Sequence, residues 1–233
     1  MSQTRKQFKV PPKRYHPKGL GILFEDQDII VVDKSCGLLS VSTDKETQLT
    51  AHYLLGQYVK KGNSKSKNRV FIVHRIDKHT SGVLIFAKTE QSKRFLQDEW
   101  KSFSKTYFAV VAGKLPEQQG EIVSYLTENR AFKVYSVQDS SLGKISKTNY
   151  QVLKETEEYS LLKLNLLTGR KNQIRVHLAD IGNPILGDKV YGVKSNEVKR
   201  LLLHSSSLSF IHPVTKQKMT IEADLPKDFS KFG

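Results

Sequence analysis

A chain of 233 residues with a formal charge of +15 at pH 7 is long enough to bury one sizeable core, and basic enough to draw polyanions, nucleic acid before acidic membrane. Its single cysteine, Cys36, excludes an internal disulfide framework and any zinc site built on paired cysteines. No apolar run reaches the length of a membrane span and no signal-type segment opens the chain, so the reading is a cytoplasmic protein with no membrane partner.

Residues 1–18 carry Arg5, Lys6, Lys9, Lys13, Arg14 and Lys18, three prolines and no acid. This is the composition of a flexible basic arm, which either touches phosphates or merely solubilises the terminus. ILFEDQDIIVVDK (22–34) reads as two short strands around the turn Glu25-Asp26, with Ile29 to Val32 too apolar for an exposed edge. TQLTAHYLLGQYVKKG (47–62) predicts a helix with Ala51, Leu54, Leu55, Tyr58 and Val59 on one face, Thr47 as its cap and Gly62 as its stop. KKGNSKSKNR (60–69) is a basic loop. VLIFAK (83–88) and TYFAVVAG (106–113) read as strands, separated by a helical stripe of Phe95, Leu96, Trp100 and Phe103 that belongs to a core.

Strands and turns alternate from Glu121 to Leu167, and LSFIHP with MTIEAD forms a hairpin about Pro213. The regular strand–helix alternation of a doubly wound fold is absent, which leaves α+β with a largely antiparallel mixed sheet. No repeat of fixed period and no linker interrupts residues 19–233, so they form one domain behind the 1–18 arm.

Two charged stretches demand a reason. In HRIDKHTSG (74–82), Asp77 stands between the apolar runs FIV and VLIFAK, although aspartate is a poor strand former. Either it caps its own backbone at a turn completed by Ser81-Gly82, or it is a carboxylate held ionised for chemistry. In LLTGRKNQIRVHLADIGNPILGDKVYG (166–192) a helix carries Ile174, Leu178 and Ile181 inward and stops at Gly182. Arg170, Lys171 and Arg175 crowd its first turns, the unfavourable end of the helix dipole for cations, so an anion is expected there: a phosphate or a carboxylate.

Together, HRIDKHTSG with VLIFAK, SKTYFAVV, and TGRKNQIRVHLADIGNPILGDKVYG resemble the RluA-type RNA pseudouridine synthases. ILFEDQDIIVVDKSCGLL is similar to that family's opening motif and RLLLHSSSLSFIHP to its closing one, so the likeness runs from about Gly21 to about Phe229. Lys34-Ser35-Cys36-Gly37 departs from the usual Lys-Pro before the glycine, and Arg170-Lys171-Asn172-Gln173 from Arg-Lys-His-Gln. The arm before Gly19 is too short for the small RNA-binding domain that many members carry ahead of the catalytic one, so none is expected within these residues.

The resemblance implies a sheet running through two lobes with a central RNA-binding cleft. It also implies isomerisation of a uridine in ribosomal or transfer RNA, by a monomer with no obligate protein partner. The glycosidic bond is broken, the base turned and rejoined through carbon; nothing is added or oxidised, so no cofactor or metal is called for. Asp77 matches the catalytic aspartate, acting as nucleophile or base. Arg175 is implied as its ion-pair partner, a charge that typically lowers a carboxylate pKa by about 1–3 units. Tyr107 matches the tyrosine that stacks on the flipped base, Arg75 an arginine that fills the gap or holds backbone, and Leu203 an apolar wall under the base. Arg170 and Lys171 are expected on RNA phosphate.

The histidines, among them His74, His79 and His177, show no metal-ligand spacing with a third ligand and read as structural. Cys36 reads as a small buried thiol. Two other classes compete. A non-catalytic RNA-binding or RNA-folding factor would have no need to keep Asp77, Tyr107 and Arg175 together, and an N-glycoside hydrolase normally wants a second acid or a metal.

Overall fold

In chain order, β1 (Leu20–Glu25), β2 (Ile29–Lys34), α1 (Ala51–Lys60), β3 (Phe71–Ile72), β4 (Ser81–Ala87) and α2 (Glu90–Asp98) come first in the computed structural model, which describes residues 8–192 and 198–232. Then follow β5 (Ser104–Ala112), β6 (Gln119–Glu128), β7 (Val134–Val137), β8 (Lys144–Glu155), β9 (Tyr159–Leu166) and α3 (Gln173–Asp180). Strands β10 (Leu203–Ile211) and β11 (Lys218–Glu222) close the series. The chain divides into two units: a first up to Phe103 together with Ser205–Asp224, and a second of Ser104–His204 with the chain from Leu225 onward. Arg5 and Lys6 of the basic arm lie outside the described residues.

In the first unit β2 lies between β1 and β4, antiparallel to both, from Ile29 opposite Ala87 to Lys34 opposite Gly82. The two-residue period of a strand sends Ile30 and Val32 to one face and Ile29 and Val31 to the other. Both faces are covered. Ala51, Leu55 and Val59 of α1 pack on Ile30, Val32, Leu84 and Phe86, while Leu96 of α2 and Phe103 pack with Ile29, Val31, Ile85 and Phe210 on the other. All seven residues of β4 are buried in consequence, which is why the run reads as continuously apolar rather than alternating. Strand β10 neighbours β4 and pairs antiparallel with β11, so the expected hairpin about Pro213 is present.

In the second unit β5, β9, β8, β6 and β7 lie side by side, every pairing antiparallel. Helix α3 packs on β6, β7 and β8. Its core gathers Val110, Leu162, Leu164, Leu178, Leu202 and Phe229. The fold is α+β with mostly antiparallel sheet.

Three local expectations are corrected. The cap of α1 is Thr50, whose hydroxyl accepts the Tyr53 N–H at 3.2 Å, and not Thr47. Ile181 is 37 % exposed because α3 ends at Asp180, one residue short of the turn that would point it inward. Cys36 is half-buried and free rather than enclosed.

Gly82 carries φ +111°, and a Cβ built on it would meet the Ser205 carbonyl oxygen at 2.0 Å, where β4 runs beside β10. Gly82→Ala combines backbone strain with a main-chain overlap that no rotamer relieves. A loss of at least about 3 kcal/mol in urea unfolding is expected; an unchanged midpoint would contradict this packing.

Candidate active site

Asp77 lies in the loop between β3 and β4, half-buried, with Arg75 and Lys78 exposed on either side. What distinguishes this loop is how its backbone is held. The Ser40 hydroxyl donates to the Ile76 carbonyl at 2.7 Å and accepts the Ile76 N–H at 3.2 Å. On the other side the Lys78 carbonyl accepts the Gly37 N–H at 2.8 Å and the Lys34 ammonium at 3.2 Å. A turn bond from Thr80 N–H to the Asp77 carbonyl, 3.2 Å, closes the segment. Both neighbours of Asp77 are therefore fixed. The His74 ring, stacked on Trp100 at 4.1 Å, accepts the Ile85 N–H at 3.2 Å and anchors the loop's entry.

Lys34 has no exposed surface, yet it carries an ammonium that must be solvated by protein. The carbonyls of Leu38 (2.7 Å) and Ser35 (3.1 Å) join that of Lys78 in doing so, which folds residues 35–38 back over the strand end. Gly37 takes φ +90° in this bend. Ser40 is placed by the start of α1, where the Ala51 and His52 N–H groups, orphans at any helix N-terminus, donate to the Leu39 and Ser40 carbonyls at 2.7 and 3.1 Å.

Asp77 and Arg75 belong to the first unit; Tyr107, Arg170, Lys171, Arg175 and Leu203 belong to the second. Arg175 is 8 % exposed on α3, whose residues Gln173 to Leu178 are all buried. Its Nε and Nη2 donate to the two carboxylate oxygens of Asp188 at 2.7 and 2.8 Å, and its Nη1 to the Asn172 Oδ1 at 2.8 Å. These bonds use three of the guanidinium's five N–H groups. The Tyr191 ring lies against the guanidinium, 4.9 Å from its centroid. Burial pushes the Asp188 carboxyl up, but the Arg175 hydrogen bonds and charge, with the Val190 and Tyr191 N–H groups, outweigh it and hold the group below its ordinary value. Asp188 is thus one carboxylate that answers Arg175 within the same unit.

Lys171 pairs with Glu128, donates to the Phe132 carbonyl at 3.0 Å and lies over the Phe132 ring. Arg170 reaches the Ile145 carbonyl at 3.4 Å. Both line a cavity of about 570 Å³ with Lys144, Glu128 and Leu142. Tyr107, opposite Leu164 on β5, is 8 % exposed, and Leu203, at the start of β10, is 3 % exposed; both join the second unit's core. Lys105, on the same face of β5, is buried, and burial lowers its pKa.

His177 lies inside α3's contact with the sheet. Gln173 donates to the Thr148 hydroxyl at 2.9 Å, which is 2.9 Å from the His177 Nδ1, and Nε2 is 3.0 Å from the Ser124 hydroxyl. Burial pushes its pKa down to about 4.

Asp26, Asp28 and His212 bring possible metal-ligating atoms together in the first unit, a grouping the sequence did not suggest. The His212 Nδ1, however, accepts the Val214 and Thr215 N–H groups, so Nε2 carries the proton and donates to Asp26 at 2.8 Å. Both ring nitrogens are committed, and the cluster is a clamp between the β1–β2 and β10–β11 turns.

Comparison with known proteins identifies the class. The RNA pseudouridylate synthase family model matches residues 28–180. An uncharacterized RNA pseudouridine synthase of Bacillus subtilis is 35 % identical over 214 residues, covering 90 % of this chain and 70 % of the relative. The ribosomal large subunit pseudouridine synthase D of Borreliella burgdorferi is 36 % identical over 220 residues, 91 % of this chain and 67 % of its own. The solved structure of human RNA pseudouridylate synthase domain containing 4 has the same fold, with a TM-score of 0.74 at 24 % identity over 90 % of each chain. The chain belongs to the RNA pseudouridylate synthase family. It is an isomerase that converts uridine in RNA to pseudouridine.

Asp188→Asn keeps the shape beside Arg175 but removes the charge that matches it, so stability should fall by about 3 kcal/mol, read as a lower urea midpoint at unchanged slope. His177 generates a pH dependence. Its folded value, about 4, lies below the ordinary 6.5, so the unfolded chain takes up the proton first. Stability should therefore be level above about pH 6.5 and decline by up to roughly 3 kcal/mol between 6.5 and 4. His177→Gln should flatten that window in thermal unfolding. The lowered carboxyls of Asp26 and Asp188 act only below their ordinary 3.8 and leave it clear.

Proposed function

We propose that this chain isomerises a specific uridine in ribosomal or transfer RNA, with Asp77 as the carboxylate that attacks or deprotonates at the sugar. Tyr107 receives the extruded base, and Arg175 supplies the positive charge that keeps Asp77 ionised. Arg75, Arg170 and Lys171 engage the RNA, and Leu203 lies under the base. Residues 19–233 act as the catalytic domain and 1–18 as its basic arm, in a monomer working in the cytoplasm without an obligate protein partner. A ribosomal target draws support from the relative in Borreliella burgdorferi described as acting on the ribosomal large subunit.

The observation that carries this reading is the grip of Ser40, Gly37 and Lys34 on the backbone of Ile76 and Lys78, the two neighbours of Asp77. A turn aspartate needs no such scaffold, because its own side chain would close the turn. A carboxylate that must meet an anomeric carbon to within a fraction of an ångström does need one. The isomerisation adds no atoms and changes no oxidation level, so positioned protein groups suffice for it.

Asp77→Ala should lower pseudouridine formation by at least 10²–10⁴-fold, an order-of-magnitude figure for losing one acid–base or nucleophilic group. RNA affinity should stay near the wild-type value. Tyr107→Phe, which keeps the ring, should bind RNA better than Tyr107→Leu. Mapping of pseudouridine across cellular RNA with and without the gene reads the target, and full activity in Asp77→Ala would remove Asp77 from the reaction.

A further inference from the structure

In the first unit the basic arm and the 60–69 loop face each other across a cavity of about 610 Å³, which shares no lining residue with the Asp77 loop. The arm reaches it by strand-like pairing: the Phe8 N–H donates to the Glu25 carbonyl at 3.0 Å. The loop is held at its far end by the Asn68 amide on the Val59 carbonyl, 3.2 Å. Between the two sits one acid, Glu25, already matched by the Lys88 ammonium at 2.7 Å and the Tyr58 hydroxyl at 2.9 Å.

The remaining lining charges are cations. Lys9, Lys61 and Arg69 are exposed, and no carboxylate among the described residues pairs with any of them. Their charges face a space large enough for a nucleotide-sized group. Lys60, Lys65 and Lys67 extend the positive field along the loop. Phe8 and Tyr58 add aromatic rings to the wall. Cations that follow a backbone, interleaved with rings on which bases can stack, are the combination single-stranded nucleic acid uses. An acidic peptide would use the cations but not the rings.

We infer that this cavity is a second RNA-binding site, taking phosphodiester groups of a single-stranded segment of the substrate at Lys9, Lys61 and Arg69 with a base against Phe8. The inference rests on RNA being the substrate and not on the identity of the catalytic groups. It gives the basic arm a role: Phe8 is tied to β1, so Lys9 is carried to the cavity's edge.

The test is fluorescence anisotropy with a labelled single-stranded oligouridylate of about 12 nucleotides, in the full chain carrying Asp77→Asn so that turnover plays no part. Lys9→Glu/Lys61→Glu/Arg69→Glu should weaken binding at least about tenfold at low salt. It should also make the slope of log K against log salt shallower by about 2, because each single-strand phosphate contact contributes about 0.7. Phe8→Ala should weaken binding at unchanged slope. Circular dichroism checks the fold, and Lys61→Ala/Arg69→Ala, with less perturbation, should make the slope shallower by about 1.4. Wild-type affinity and slope in the triple variant would overturn the site, as would an equal loss in the control Lys101→Glu/Lys218→Glu/Lys227→Glu. Loss of polyglutamate binding with oligouridylate binding intact would assign the cavity to an acidic protein and overturn it as well.

Discussion

A lysine ammonium with no surface exposure anchors the half of this fold that carries Asp77. Lys34 ends β2, in the middle of the first unit's sheet, and its charge is solvated by backbone carbonyls of Ser35, Leu38 and Lys78. An ammonium taken out of water is tolerated only when such groups replace the lost hydration. The demand works in both directions. The charge requires that the 35–38 bend and the loop after Asp77 come to it, and in coming they set the height of Asp77 above the strand. Ser40 completes the arrangement from a loop that α1's first N–H groups fix. Core packing of α1 on β2 and β4 thereby reaches the segment that carries Asp77, the proposed reacting carboxylate, through three short links.

The second unit solves a similar problem with a different pair. A helix whose residues are buried over six successive positions offers no exposed face, and an arginine among them must be satisfied from inside. Asp188 does this with a bidentate contact, and Asn172 and Tyr191 fix the plane of the guanidinium. The cation is then presented in one orientation, which costs little entropy when it acts on another charge. Asn172 gives up the capping role its position invites: with φ 54° its side chain turns to Arg175 instead of to the helix N–H groups.

Much of this was legible in the sequence, for identifiable reasons. The runs 29–32 and 83–87 are apolar at every position, which only strands covered on both faces require, and β2 and β4 are such strands. Other features depend on contacts that carry no local pattern. Thr47 and Thr50 are equivalent as caps by composition; the Ala51 and His52 bonds to residues 39 and 40 choose the second. Ile181 continues the helical period of Ile174 and Leu178, but the bond from Asn183 N–H to the Leu178 carbonyl and φ +83° at Gly182 end the helix first. Asp188 follows a glycine in a stretch without periodicity, so nothing nearby announced that Arg175 needed it. Asp26 and His212 are 186 positions apart. The one available signal for the buried groups was chemical: Lys34, two residues past the apolar run 29–32, has to find oxygen atoms somewhere once it is enclosed.

The same distinction organises the charge of the molecule. Lys34 and Arg175 are enclosed, hydrogen-bonded and insensitive to salt, so they act on position and on protonation at short range. Lys9, Lys61 and Arg69 are exposed and unmatched by carboxylates among the described residues, so their effect reaches outward and is screened by added ions. An enzyme that must take one uridine from a folded polyanion has use for both kinds. Exposed cations can gather the backbone at little cost in specificity, whereas choosing and holding the base demands groups whose geometry is set before RNA arrives. The net charge of +15 therefore overstates what is available for binding, because Lys34 and Arg175 are already enclosed and hydrogen-bonded within the protein.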